Sequence, residues 1–202
     1  MYAFPPKGLN KLGNPIYDWA SAIRVGPVAT NGTGYKLIER SSDGMIYVMG
    51  PTRKKDAPSF GGAHMGGNML LAFKEYPGAQ TVDERAQLLW STLLPRVAVG
   101  MAAISGGNGG VLLGGDPGRG TIHHFNKDGL LIGSFQSVSR LGWGPRNHPS
   151  GMLDNLGAVA CFRDPRDGLL DVFTEDNYNQ RLIWYRVDDR DIKTVEGNLT
   201  VQ

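Results

Sequence analysis

The sequence predicts an all-β fold assembled from antiparallel sheets. Glycine supplies 29 of the 202 residues, about twice its ordinary share, and without a collagen-like period that density means many tight turns and short strands. Asp-Gly steps at Asp43-Gly44, Asp128-Gly129 and Asp167-Gly168 stand beside strand-length apolar runs, where such a step accepts the positive φ of a tight hairpin. The runs also recur. The stretches 35–94, 97–136 and 158–187 each offer three or four strands.

Residues 1–34 are interrupted by Pro5, Pro6, Pro15 and Pro27 and read as an irregular N-terminal segment or a degenerate repeat. Ile16–Trp19 and Ala22–Val25 are their strand-like pieces. Residues 35–202 form the repeat domain. Tyr35–Arg40 and Met45–Met49 flank Ser42-Asp43-Gly44 as a hairpin. Both faces of the second run are apolar, as in a strand packed between two sheets. The loop Gly50–Gly67 precedes a strand over Asn68–Lys74. Thr81–Leu94 admits two readings. One is a helix capped by Thr81 with Glu84 closing a capping box. The other, preferred because Pro77-Gly78 and Pro95 bound it, is a strand over Gln87–Leu94.

The second unit runs Val97–Ile104, a turn over Gly106–Gly110, Val111–Gly115, Thr121–Asn126 and, past Lys127-Asp128-Gly129, Leu130–Phe135. A Gly-, Pro- and Ser-rich loop, 137–157, carries Trp143 and His148. The third unit is the most complete: Ala158–Phe162, the turn Asp164–Gly168, Leu169–Phe173, a polar loop with Tyr178, and Arg181–Val187. A charged turn and one candidate strand near Asn198–Val201 end the chain.

Units of this length, each with three or four strands, are the signature of β-propeller blades. The expected fold is therefore a β-propeller-like array of about three blades. The segments TIHHFNKDGLLIGSF and DGLLDVFTEDNYNQRLIWYRV resemble blades of six-bladed NHL-like propellers, over about two thirds of the chain. Propellers normally close with at least four blades. Three units thus imply a degenerate blade from 1–34, or an incomplete propeller that belongs to a larger ring or oligomer.

Asp167, Gly168 and Asp171 are similar to the tail of the calcium loops of FG-GAP propeller repeats. That resemblance implies a Ca²⁺ site drawn from Asp164, Asp167, Asp171, Glu175 and Asp176, whose carboxylates are the hard oxygen ligands this cation takes. Arg163 and Pro165 stand where the pattern places Asp and Asn. The plain structural reading is an Asp-Gly turn followed by an aspartate bonded to backbone amides or arginine. Asp171 alternates with Leu169 and Phe173, so it shares their face and needs a partner.

Other chemistries find less support. The net charge is +2, with no basic stripe to suggest nucleic-acid binding. Arg53-Lys54-Lys55 reads as a solvated loop. No stretch approaches the length of a membrane span, and MYAFPPKGLNKLGNP lacks the apolar core of a signal peptide, so the compartment stays open. The single cysteine, Cys161, permits no intrachain disulfide and reads as a buried, inert thiol. His123 and His124 are adjacent in a strand, point to opposite faces and cannot serve one metal. The run GGDPGRGT lacks the Lys-Ser/Thr of a phosphate loop, and no Gly-x-Ser-x-Gly nucleophile occurs.

Trp143, His148 and Tyr178, all in loops, are the candidate contacts for a partner. The functional expectation is a non-catalytic binding or scaffolding module that presents the loops 50–67 and 137–157 to a protein or glycan. The alternative implied by the propeller resemblance is a metal-assisted enzyme, a lactonase-like hydrolase or a sugar dehydrogenase. Fold alone does not choose between them.

Overall fold

The computed structural model describes residues 2–24, 37–50, 69–94, 98, 100–114, 121–136, 156–176 and 180–189. Within them the protein is all-β apart from a single helical turn, and every strand pairing is antiparallel. No helix among these residues is long and apolar enough to cross a membrane.

Three sheets carry the core, each with its strands side by side in chain order. The first sheet is β5 (Leu37–Arg40), β6 (Met45–Gly50), β7 (Met69–Glu75) and β8 (Ala86–Leu93). The second is β9 (Gly100–Ala103), β10 (Val111–Gly114), β11 (Thr121–Phe125) and β12 (Leu131–Gln136). The third is β13 (Leu156–Arg163), β14 (Leu170–Asp176) and β15 (Arg181–Val187). Upstream, β1 (Tyr2–Ala3) pairs with β4 (Ile23–Arg24) around a hairpin of β2 (Pro6–Leu9) and β3 (Pro15–Tyr17). The N-terminal stretch is thus more regular than its prolines suggest.

Both readings of Thr81–Leu94 hold, one after the other. Thr81 and Glu84 form a reciprocal capping box on the turn α1 (Val82–Arg85), and β8 begins at the next residue.

The sheets stack through strand parity. Side chains alternate between faces along a strand. In the second sheet Met101, Val111, Leu113 and Phe125 face the first sheet, where they join Tyr47, Met49, Leu70 and Ala72 in one core. Their neighbours Ala102, Ile104, Leu112 and Ile122 face the third sheet and join Val159, Leu170 and Val172 in another. The middle sheet is therefore apolar on both faces. At about 25 cal/mol per Å² of apolar surface, each face stabilises the stack substantially.

The first strands of successive sheets lie together: β5 packs on β9, and β9 on β13. At Gly100 the approach is backbone to backbone, where a Cβ would stand 2.9 Å from the Gly157 carbonyl oxygen and from the Val159 nitrogen.

One turn design recurs. Ser41–Met45, Asn126–Leu130 and Asn10–Asn14 each close three-residue loops with a glycine at the third loop position. Those glycines, Gly44, Gly129 and Gly13, have φ of 80°, 84° and 80°. Asp43 and Asp128 do not share the positive φ that a two-residue Asp-Gly turn demands, since Gln180 is the one non-glycine with positive φ among the described residues. These are three-residue hairpins with glycine in the left-handed position.

Candidate functional site

The hairpin loops β5–β6, β9–β10 and β13–β14 meet at one end of the stack, which carries the ion pairs of Arg163, Arg166 and Arg186. Antiparallel order brings these loops to a common end, and hydrogen bonds join them. The Ser42 amide donates to Ser105 Oγ at 3.0 Å, linking first sheet to second. Arg163, the last residue of β13, links second to third. Its Nε donates to the Ser105 carbonyl at 2.9 Å and its Nη2 to the Gly106 carbonyl at 3.2 Å. Its Nη1 donates to the Gly168 carbonyl at 2.8 Å. The fork then closes on the fully buried Asp189, at 2.8 Å and 2.7 Å. The Asn108 amide holds the Asp189 backbone carbonyl.

The glycines beneath make this clamp possible. A Cβ on Gly107 would stand 2.5 Å from Arg163 Nη2, and Gly106 and Gly107 both have positive φ. Burial pushes the Asp189 carboxyl up, but the Arg163 hydrogen bonds and charge outweigh it and hold the group below its usual range. His124 lies on the same side of the middle sheet, 1% exposed, with Nε2 3.2 Å from the Gly109 carbonyl and Nδ1 buried without a hydrogen-bond partner. Burial lowers its pKa.

The acidic cluster of the third sheet is an ion-pair lattice. Asp164, 2% exposed, accepts from Arg166 Nε and Nη2 and from the Arg166 amide, and from Arg186 Nη2 at 3.2 Å. The Arg166 hydrogen bonds, and then Arg186, hold its carboxyl far below the ordinary carboxylate range. Arg186 also pairs with Asp167 and stands 3.7 Å from Asp171. The partner that Asp171 requires is Trp184, whose indole Nε1 donates to it at 2.9 Å. Asp176, fully buried, accepts from Arg181 at 2.9 Å, while Glu175 is exposed.

Thus Asp164, Asp167 and Asp171 gather around Arg186, whereas Glu175 and Asp176 lie on opposite faces further along β14. Arg186 supplies the positive charge that a cation would bring. No group of three or more His, Cys, Asp or Glu side chains suited to a metal occurs among the described residues. Trp143, His148 and Tyr178 lie outside the described residues, as do the loops 51–68 and 137–155.

Cys161 is partly buried rather than sealed. Its thiol donates to the Ala103 carbonyl at 3.3 Å, and burial pushes its pKa up to about 12, so it is a poor nucleophile at neutral pH. His123 and His124 do point to opposite faces, His123 reaching Ser134 Oγ at 3.0 Å.

Trp90 and the pair of Arg163 and Asp189 are absent from the sequence-based candidates. Trp90 Nε1 donates to the Lys127 carbonyl at 2.7 Å, and its ring lies over Gly129, where a Cβ would stand 2.9 Å from it. Parity was the available signal for Arg163, which follows Val159 and Cys161 on the inward face of β13. The chain matches no family model and no curated protein.

Proposed function

We propose that the protein is a non-catalytic binding module, a propeller-like array whose sheets fan out from their first strands and present loops at one end to a protein or glycan partner. The observation that carries this reading is the contrast between the two ends of the stack. At one end, among the described residues, Arg163 ties two hairpin loops to Asp189, and Arg166 and Arg186 pair with the aspartates of the third sheet, which makes a rigid scaffold. At the other end the described strands finish where the connections 51–68, 115–120, 137–155 and 177–179 begin. Those connections hold Trp143, His148 and Tyr178, residue types that favour recognition on loops carried by a rigid frame.

The propeller-like arrangement draws support from the meander order of each sheet and from the packing of β5 on β9 and β9 on β13.

Glycan and peptide arrays probed with the protein and with a Trp143→Ala, Tyr178→Ala variant test the reading. The expected result is a discrete set of ligands whose signal falls at least about tenfold in the variant at unchanged stability, as for truncation of aromatic anchors. Equal signals from both proteins would count against it. Thermal melts with EDTA and with excess Ca²⁺ test the metal-assisted alternative. The module is expected to melt at one temperature throughout. A Ca²⁺ site at a hundred times its Kd would instead add about 2.7 kcal/mol, reversed by EDTA.

A further inference from the structure

Among the described residues, the third sheet has one packed face and one face that nothing packs against. Toward the second sheet it offers Val159, Leu170 and Val172 to a core. On the other side the register sets Ala160, Phe173 and Trp184 in one row, with Phe162, Asp171 and Arg186 in the next. Phe162 is 57% exposed, Leu182 70% and Trp184 57%, and the Phe173 and Trp184 rings stack at 6.4 Å. The middle sheet, by contrast, buries both of its apolar faces.

A second apolar surface lies bare at the start of the chain. The hairpin of β2 and β3 exposes Leu9, Leu12 and Ile16, and Trp19, its ring tilted against Phe4 at 4.6 Å between centroids, is 71% exposed. Its extensive packing is internal, β1 on β4 and β2 on β3.

The two surfaces complement each other in charge. From Tyr2 to Trp19 the N-terminal surface carries Lys7, Lys11 and Asp18, a net positive charge. Among the described residues the exposed sheet face carries Asp171 and Glu175, with Asp167 and Arg166 at its rim, and its arginine, Arg186, is already shared among aspartates. Stacking two copies of this face on each other would instead bring like charges together.

We propose that the N-terminal hairpin of a second copy of this chain covers the bare face of the third sheet, and that the exchange is reciprocal, giving a closed two-fold dimer. Area favours exchange. A three-stranded face offers about 300 Å² in plan, short of the roughly 800 Å² per partner of a stable interface. Exchange buries a face and a hairpin from each copy. The inference concerns a different surface from the loop end and stands or falls apart from the proposal above.

Analytical ultracentrifugation across protein concentrations tests it, with Leu182→Lys, Trp19→Ser and the charge pair Lys7→Glu and Glu175→Lys. These side chains are exposed in the single chain, and circular dichroism checks that each variant folds. The expected result is a dimer that Leu182→Lys and Trp19→Ser each weaken by about thirtyfold or more, as at interface hot spots. Each charge reversal should weaken it less, and the two combined should restore it. A monomer at every concentration overturns the proposal. So does a dimer that Leu182→Lys breaks but the hairpin variants leave intact, which would mean face on face. A dimer that none of the variants weakens overturns it as well.

Discussion

The joint between the first and second sheets and the joint between the second and third use the same apolar parity but are locked by different chemistry. The first is closed by Trp90, an aromatic ring laid over the glycine of a hairpin loop with one hydrogen bond to its carbonyl. The second is closed by Arg163, whose guanidinium binds three backbone carbonyls and a fully buried carboxylate. An aromatic lock loses contact area when it is cut. An ionic lock leaves a buried charge behind, and that asymmetry makes it the more fragile of the two.

Cutting the locks should expose the difference. Asp189→Ala strands the Arg163 guanidinium and is expected to cost about 3–5 kcal/mol, the range for removing one partner of a buried pair. Trp90→Ala removes a half-buried ring and is expected to cost about 2–3 kcal/mol, below the range for fully buried aromatics. Urea denaturation of both variants measures this. Equal losses would mean that the two joints are energetically alike.

Acid provides a smaller and sharper probe. Burial lowers the pKa of His124 on the ionic side and of His123 on the aromatic side. The Gly109 carbonyl and Asp189 favour the protonated form of His124, and Arg163 opposes it. Because the folded-state pKa lies below the unfolded value near 6.5, the unfolded chain binds the proton first. Stability is therefore full above about pH 6.5 and falls as pH drops toward the folded-state pKa, by at most about 1.4 kcal/mol per pH unit for each histidine. Stability curves between pH 7.5 and 5.5 should slope downward in acid, and His124→Gln should flatten part of that slope. An unchanged slope would assign the effect to His123 and leave the ionic joint insensitive in this range.

Much of the architecture was legible because it is local. The glycines of the hairpin loops, the alternation along each strand and the spacing of the units are properties of a few neighbouring residues. The loop at Asn10–Asn14 carries the same Asn-x-x-Gly spacing as Asn126–Gly129, so the N-terminal hairpin was also within reach, although Pro5, Pro6 and Pro15 argued for irregularity. The locks were not legible in the same way. Asp189 meets Arg163 across 26 residues and Trp90 meets Lys127 across 37, and such pairings depend on how whole sheets settle on one another. Against the calcium-loop pattern, Arg163 stands where an aspartate ligand belongs. Its position on the inward face of β13 marks it instead as a charge that must be satisfied between sheets.

The close approach at Gly100 has a mechanical meaning. Two sheets that touch through bare backbone at their first strands behave like the leaves of a book at its spine. The four-stranded second sheet is about 14 Å wide, so a spacer of about 1 Å at the spine tilts the third sheet against it by roughly 4°. A side chain as small as a methyl group at this one position would thus be felt as a change in the angle between the second and third sheets rather than as a local clash.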